Sequence, residues 1–217
     1  MTKCDITLYG ILDSNRSQGR NLVELAIAAV KGGATILQYR DKNAPIRQLI
    51  ETGREIKSAI ARTGIPLLIN DRVDAAMAIG ADGVHIGQDD MSATDARQLL
   101  GPSAIIGLTI KTETHAKAAP VSMLDYVCIG GVYDTLSKDN PVSIGIDGWQ
   151  AIASHFRKSS PELPVGAIAG IDASNVEEVI QAGADGVAII SAMFMADDVE
   201  SISQELVKKI MIARGCK

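Results

Sequence analysis

The sequence predicts a single (β/α)8 barrel occupying residues 1–217. Three observations carry that expectation. Eight short apolar runs alternate with longer amphipathic stretches. The segment Gly80-Ala81-Asp82-Gly83-Val84 recurs as Gly183-Ala184-Asp185-Gly186-Val187, each time between a helical pattern and an apolar run. The polar residues that interrupt the apolar pattern gather after the runs, the end where barrel enzymes place their chemistry.

The runs predict strands over Ile6–Leu12, Ala34–Arg40, Pro66–Asn70, Gly83–Gly87, Ala104–Ile110, Tyr126–Val132, Val165–Ile171 and Gly186–Ser191. Helical periodicity marks Arg20–Lys31, Ile46–Thr63, Ser174–Ala182 with Ser174 as its cap, and Val199–Ala213. Strands separated by helices pair in parallel, and eight of them close a barrel. An open doubly wound sheet competes, but it usually has fewer strands or a second domain.

In the repeated segment, the first glycine permits a left-handed helix exit and the second lets the next strand start in close contact. Asp82 and Asp185 then fall at the N-terminal ends of their strands. That is the structural end of a barrel, so they read as structural despite resembling a carboxylate pair.

The chain is long enough to bury one barrel core. It is 47% hydrophobic but only 3% aromatic, so aliphatic side chains must fill that core. The net charge of −5 argues against nucleic-acid binding, which needs an excess of Lys and Arg. An anionic ligand must then be held by local groups. Cys4, Cys128 and Cys216 form no CxxC, which suggests reduced thiols and a cytoplasmic location. Cys128 sits in an apolar run and reads as core. No run is long enough to span a membrane, and the N-terminus lacks the pattern of a signal peptide.

The strongest chemical signal is Gln38-Tyr39-Arg40-Asp41-Lys42. Side chains alternate along a strand, so Gln38, Arg40 and Lys42 share one face. An amide, a guanidinium and an ammonium in a row suit a polar ring joined to a phosphate; a solvated strand end competes. Strand three ends in Asn70-Asp71 and strand four in Gly87-Gln88-Asp89-Asp90. Carboxylates meeting over the mouth, with phosphate oxygens, form a hard oxygen site suited to Mg²⁺. Helix capping is the alternative for Asp71 and Asp90.

His85, between Val84 and Ile86, reads as a buried structural histidine. Thr109 follows strand five. Asp134-Thr135-Leu136-Ser137-Lys138 follows strand six and has the hydroxyls and the ammonium of a phosphate-holding loop, or of a solvated one. After strands seven and eight come Ala169-Gly170-Ile171 and Ile190-Ser191-Ala192, where barrels commonly bind phosphate. Close helix–strand packing would also explain Gly170, but not Ser191.

Together these segments resemble the thiamine-phosphate synthase family from about Leu8 to Ala192. The carriers are QYRDK at 38–42, LLINDRVDAAMAIGADGVHIGQDDM at 67–91, IIGLT at 105–109, TLSK at 135–138, AGI at 169–171 and AIISA at 188–192. The resemblance implies a transferase that joins an aminopyrimidine methyl diphosphate to a thiazole phosphate, releasing pyrophosphate through a pyrimidine methyl cation. It implies that Gln38, Tyr39, Arg40, Asp41, Lys42, Asn70, Thr109 and Lys138 serve the pyrimidine diphosphate. Arg40, Lys42 and Lys138 would be its catalytic cations. Thr135, Leu136, Ser137, Gly170, Ile190 and Ser191 would hold the thiazole phosphate, and Asp71 and Asp90 a Mg²⁺ ion. Small molecules are the expected partners, with a homo-oligomer possible.

The chain departs from the family pattern at Thr109, usually Ser, and at Asp134, usually Pro. It departs also at Ala169, the first of a usual Gly-Gly pair, and at Leu12, which precedes Asp13 where Thr is usual. Two other functions compete. A related thiazole tautomerase would lack the cation row and the metal acids. A non-catalytic phosphate sensor on the same barrel would bind without turnover. Loop 134–140 is the candidate lid.

Overall fold

A computed structural model of the chain describes residues 4–134 and 143–216. Eight parallel strands form a closed barrel in sequence order: β1 (Leu8–Asp13), β2 (Ile36–Arg40), β3 (Leu67–Asn70), β4 (Gly83–Ile86), β5 (Ile105–Ile110), β6 (Tyr126–Gly130), β7 (Val165–Ile168) and β8 (Gly186–Ile189). The helices are α1 (Leu22–Lys31), α2 (Ile46–Ile60), α3 (Val73–Ile79), α4 (Ala93–Leu100), α5 (Glu113–Ala118), α6 (Gly145–Ser159), α7 (Val176–Gln181), the short α8 (Ser191–Phe194) and α9 (Val199–Ala213).

Strand alternation sorts the side chains into two cores. Ile6, Tyr9, Ile11, Ile36, Leu68, Tyr126, Cys128 and Ala188 fill the barrel interior. Their neighbours, such as Leu8, Leu37, Ile69, Val84 and Val187, pack outward against Leu25, Ile56, Phe156 and Leu206 of the helices. Cys128 belongs to the interior, as expected, and burial pushes its thiol well up.

Three ladders end before their hydropathy does. β6, β7 and β8 stop at Gly130, Ile168 and Ile189, short of the expected Val132, Ile171 and Ser191. Left-handed backbone turns the chain away at Gly131, Ala169 and Gly170, and Ser191 begins a helix instead. Helix α7 also starts later than expected. Asn175 precedes it, while Ser174 Oγ donates to Asp172 Oδ1 at 2.6 Å and caps nothing. The Asp172 carboxylate shapes the entry turn in its place.

The repeated segment does what its glycines imply. Gly80 and Gly183 have φ of +72° and +105°. A Cβ on Gly83 or Gly186 would lie 1.8 Å from the Ile105 or Ile6 carbonyl oxygen, so the adjoining strands approach too closely for any other residue.

The residues just before the even strands share one task. Thr35 Oγ1 accepts from Leu8 N–H at 3.2 Å, and Asp82 Oδ2 from Leu67 N–H at 2.8 Å. Asp125 Oδ2 accepts from Ile106 N–H at 2.8 Å, and Asp185 Oδ2 from Val165 N–H at 2.7 Å. Each ties the start of its strand to the strand before it. The three carboxylates also pair with Lys57 of α2, Arg97 of α4 and Arg157 of α6. Asp82 and Asp185 are therefore struts at the closed end of the barrel. Asp185→Ala should cost about 1–3 kcal/mol in denaturant unfolding, by leaving the Val165 N–H unsatisfied. Turnover should change by less than about twofold, because the site lies at the other end.

Candidate active site

The mouth is assembled from residues at the C-terminal strand ends. Gln38 and Arg40 face inward on β2. Asn70 ends β3 and stands in register beside His85 of β4; Thr109 faces inward on β5. Lys42 lies two residues past the end of β2 and still reaches Asp71, with Nζ 3.3 Å from Oδ2.

Arg40 is not an isolated cation. Its guanidinium pairs with Asp13, its register partner at the end of β1. Asp13 is 4% exposed and also accepts from Asn15 N–H at 2.9 Å. The pair fixes the direction of the guanidinium and cancels much of its charge.

Tyr39 and Asp41 do not join the mouth. Alternation turns Tyr39 outward into the helix-facing core, where its phenol bonds to Thr52 of α2 and burial pushes its pKa up to about 12. Asp41 Oδ1 accepts from the N–H groups of Asn43 and Ala44 at 3.0 and 2.9 Å, shaping the turn into α2. Within the QYRDK segment, these two positions hold the loop while Gln38, Arg40 and Lys42 face the site.

Asp71 and Asp90 come together from β3 and β4, and neither caps a helix. Arg72 precedes α3, and Ser92 caps α4 by accepting from Asp95 N–H at 3.1 Å. Asp71 adopts left-handed backbone with φ +60°, a conformation aspartate tolerates, and its N–H donates to the His85 carbonyl at 2.9 Å. Asp90 Oδ2 accepts from Gly87 N–H at 2.7 Å. Burial, and then the Asp90 carboxyl bonded beside it, push the Asp71 carboxyl above its usual range; Lys42 pulls the other way. Two carboxylates placed against each other at a hydrated mouth fit a hard divalent cation. Among the described residues no cluster of three or more His, Cys, Asp or Glu forms a complete protein cage.

His85 is buried, as expected, with Nδ1 2.8 Å from Tyr126 Oη and Nε2 2.8 Å from Thr109 Oγ1. The other two histidines, His115 and His155, lie on α5 and α6.

On the opposite side of the mouth, the loops after β7 and β8 line a cavity of about 500 Å³. Gly170, Ile190 and Ser191 all border it, with Ala169, Ala192 and Ile168. A Cβ on Gly170 would lie 2.5 Å from the Asp134 carbonyl oxygen, so only glycine fits against the end of loop six. Asn175 Nδ2 holds the Gly170 carbonyl at 2.8 Å. Asp134 and Arg16 line the same cavity. Sequence reasoning missed Arg16, because a lone arginine in a single 3₁₀ turn (Ser14–Arg16) after β1 has no periodicity to reveal it. Thr135, Leu136, Ser137 and Lys138 lie outside the described residues, as does most of the candidate lid.

Comparisons with known proteins show the family and agree with the barrel fold. A family model described as thiamine monophosphate synthase matches residues 8–193. The chain belongs to that family. It is 51% identical over 206 residues to a thiamine-phosphate synthase of Agrobacterium fabrum, covering 94% of each chain. It is 41% identical to one from Chloroflexus aurantiacus, covering 93% of this chain and 91% of the relative. A solved thiamine phosphate pyrophosphorylase from Pyrococcus furiosus superposes with a TM-score of 0.85 at 34% identity, covering 98% of this chain and 99% of that one.

Ala169 is the one strained departure from the family pattern. Its φ of +93° lies where glycine is at ease and alanine is not. Ala169→Gly should therefore raise stability by about 1 kcal/mol, the released strain exceeding the added freedom of the unfolded chain. A denaturant midpoint that falls instead would mean that the methyl group contributes packing that outweighs the strain.

Proposed function

We infer that this barrel carries the activity of its family, joining an aminopyrimidine methyl diphosphate to a thiazole ethyl phosphate to give thiamine phosphate and pyrophosphate. The observation that carries the reading is the Asp71–Asp90 pair, set beside Lys42 on one side of the mouth, with a separate cavity after β7 and β8 on the other. Such a mouth can take a diphosphate and a second phosphorylated substrate side by side.

In this reading Gln38, Asn70 and Thr109 orient the pyrimidine diphosphate. Lys42, the Asp13-anchored Arg40 and, from the family resemblance, Lys138 neutralise the charge that develops as the carbon–oxygen bond breaks and its electron pair leaves with pyrophosphate. Asp71 and Asp90 would hold Mg²⁺, which supplies further charge neutralisation to the leaving diphosphate when bound. Gly170, Ile190 and Ser191, with Thr135, Leu136 and Ser137 by resemblance, hold the thiazole phosphate. The thiazole nitrogen is thereby fixed beside the electron-poor methylene carbon, and its lone pair forms the new carbon–nitrogen bond. The protein supplies position and charge, and no protein nucleophile is required. The tautomerase alternative is disfavoured because Gln38, Arg40, Lys42, Asp71 and Asp90 are all retained. No described helix is long and apolar enough to cross a membrane, which is compatible with the proposed cytoplasmic location.

The test is direct. Purified protein, both substrates and Mg²⁺ should yield thiamine phosphate, seen by the fluorescence of its oxidised form, and a chelator should abolish it. Asp71→Ala should lower kcat/KM by about 10²-fold or more, with only partial recovery at high Mg²⁺. Undiminished turnover in that variant would remove Asp71 from the metal site.

A further inference from the structure

The turn that leaves β7 is held at three successive peptides by residues that do not themselves line the cavity beside it. The Ala169 carbonyl accepts from the N–H of Tyr133, in loop six, at 3.1 Å. The Gly170 carbonyl accepts from Asn175 Nδ2 at 2.8 Å. The Asp172 N–H donates to Asn175 Oδ1 at 2.9 Å. One side chain at the entrance of α7 thus clips the turn on both sides of Ile171. A carbonyl can only accept and an N–H can only donate, so these two partners leave the Asn175 amide a single orientation. A carboxylate in its place could serve Asp172 but not Gly170.

The rest of the turn faces the other way. No peptide here is cis, and in a trans peptide the N–H points opposite to the carbonyl. With the Ala169 and Gly170 carbonyls held by Tyr133 and Asn175, the N–H groups of Gly170 and Ile171 turn away from both. Gly170 and Ile171 line the cavity after β7 and β8, and among the described residues neither N–H meets an acceptor. Gly170 has φ +67°, and glycine takes either hand of backbone with little preference. The direction of its peptide is therefore set by its partners. Two carboxylates, Asp134 and Asp172, also border the cavity, so an anionic ligand depends on donors that are well aimed.

We propose that Asn175 is a positioning residue for the second substrate: by fixing the Gly170–Ile171 peptide, it aims the adjacent N–H groups of Gly170 and Ile171 at the phosphate of the thiazole. This rests on the reading of the β7–β8 cavity as the thiazole phosphate site.

The test titrates the ¹⁵N-labelled full chain with the thiazole ethyl phosphate, with the corresponding unphosphorylated alcohol, and with the pyrimidine diphosphate. Asn175→Ala removes both bonds. Asn175→Asp keeps an acceptor for the Asp172 N–H and turns an oxygen toward the Gly170 carbonyl. Each variant should raise Kd for the thiazole phosphate about tenfold, and leave Kd for the alcohol and for the pyrimidine diphosphate within about twofold. In the unmodified protein, the phosphate ligand should move the Gly170 and Ile171 amide proton signals downfield, and the alcohol should not. Signals that respond alike to both ligands, or to neither, would overturn the proposal whether or not a variant folds. So would a folded variant that binds the thiazole phosphate as the unmodified protein does. A variant that loses phosphate and alcohol equally would show a merely structural role and overturn it too. These results remove the role of Asn175 alone. Unmodified protein that binds the thiazole phosphate no more tightly than the alcohol would overturn the reading of the cavity, and the role of Asn175 with it.

Discussion

Everything at the mouth of this barrel depends on two carboxylates that are held together. Asp71 and Asp90 arrive from adjacent strand ends, and each is anchored through its loop: Asp71 by its N–H on the His85 carbonyl, Asp90 by Gly87 N–H. Neither can swing away without breaking backbone contacts. Burial first, and then the neighbouring Asp90 carboxyl, disfavour the ionised form of Asp71, and its raised pKa expresses that cost. Lys42 relieves part of it. A divalent cation held by the two carboxylates would relieve the rest, so the fold maintains a local electrostatic demand that the proposed metal would meet.

The same residue type plays the opposite part at the other end of the barrel. Asp82, Asp125 and Asp185 each face a backbone N–H of the neighbouring strand and a basic side chain from the helix that leads into that strand, and their charge is spent locally. What separates the two uses is position on the strand. At the start, a carboxylate finds N–H groups to accept from and cements the ladder. At the end, where strands present carbonyls, it finds its partners in the loop and in side chains, as Asp90 does in Gly87 N–H and Asp71 in Lys42. The chain thus separates stability from chemistry along a single axis.

Much of this was legible in the sequence, because the barrel rests on periods that residues declare. The eight strands, the inward face of Gln38 and Arg40 and the structural role of Asp82 and Asp185 all follow from alternation and from the place of each residue on its run. The same alternation turns Tyr39 and Asp41 away from the site, although the QYRDK motif as a unit had suggested otherwise. Contacts between distant residues were not legible. Asp13 neutralises Arg40 because β1 and β2 lie side by side in register, and Arg16 reaches the β7–β8 cavity because the barrel closes. Ser174 has the right chemistry to cap α7, but Asp172 and Asn175 shape that turn, an outcome of competition among three neighbouring polar residues. The hydrogen bonds that link Tyr9, Tyr126 and His85 join three strands whose apolar runs showed no sign of them.

The central claim is that the carboxylate pair forms half of a metal site that the diphosphate completes. Calorimetric titration of Mg²⁺ into the protein tests it most directly, first alone and then with a non-reactive analogue of the pyrimidine diphosphate. The account predicts weak binding to the protein alone and binding tightened by about tenfold or more with the analogue, a coupling lost in Asp71→Ala. Mg²⁺ affinity that is the same with and without the diphosphate would contradict it.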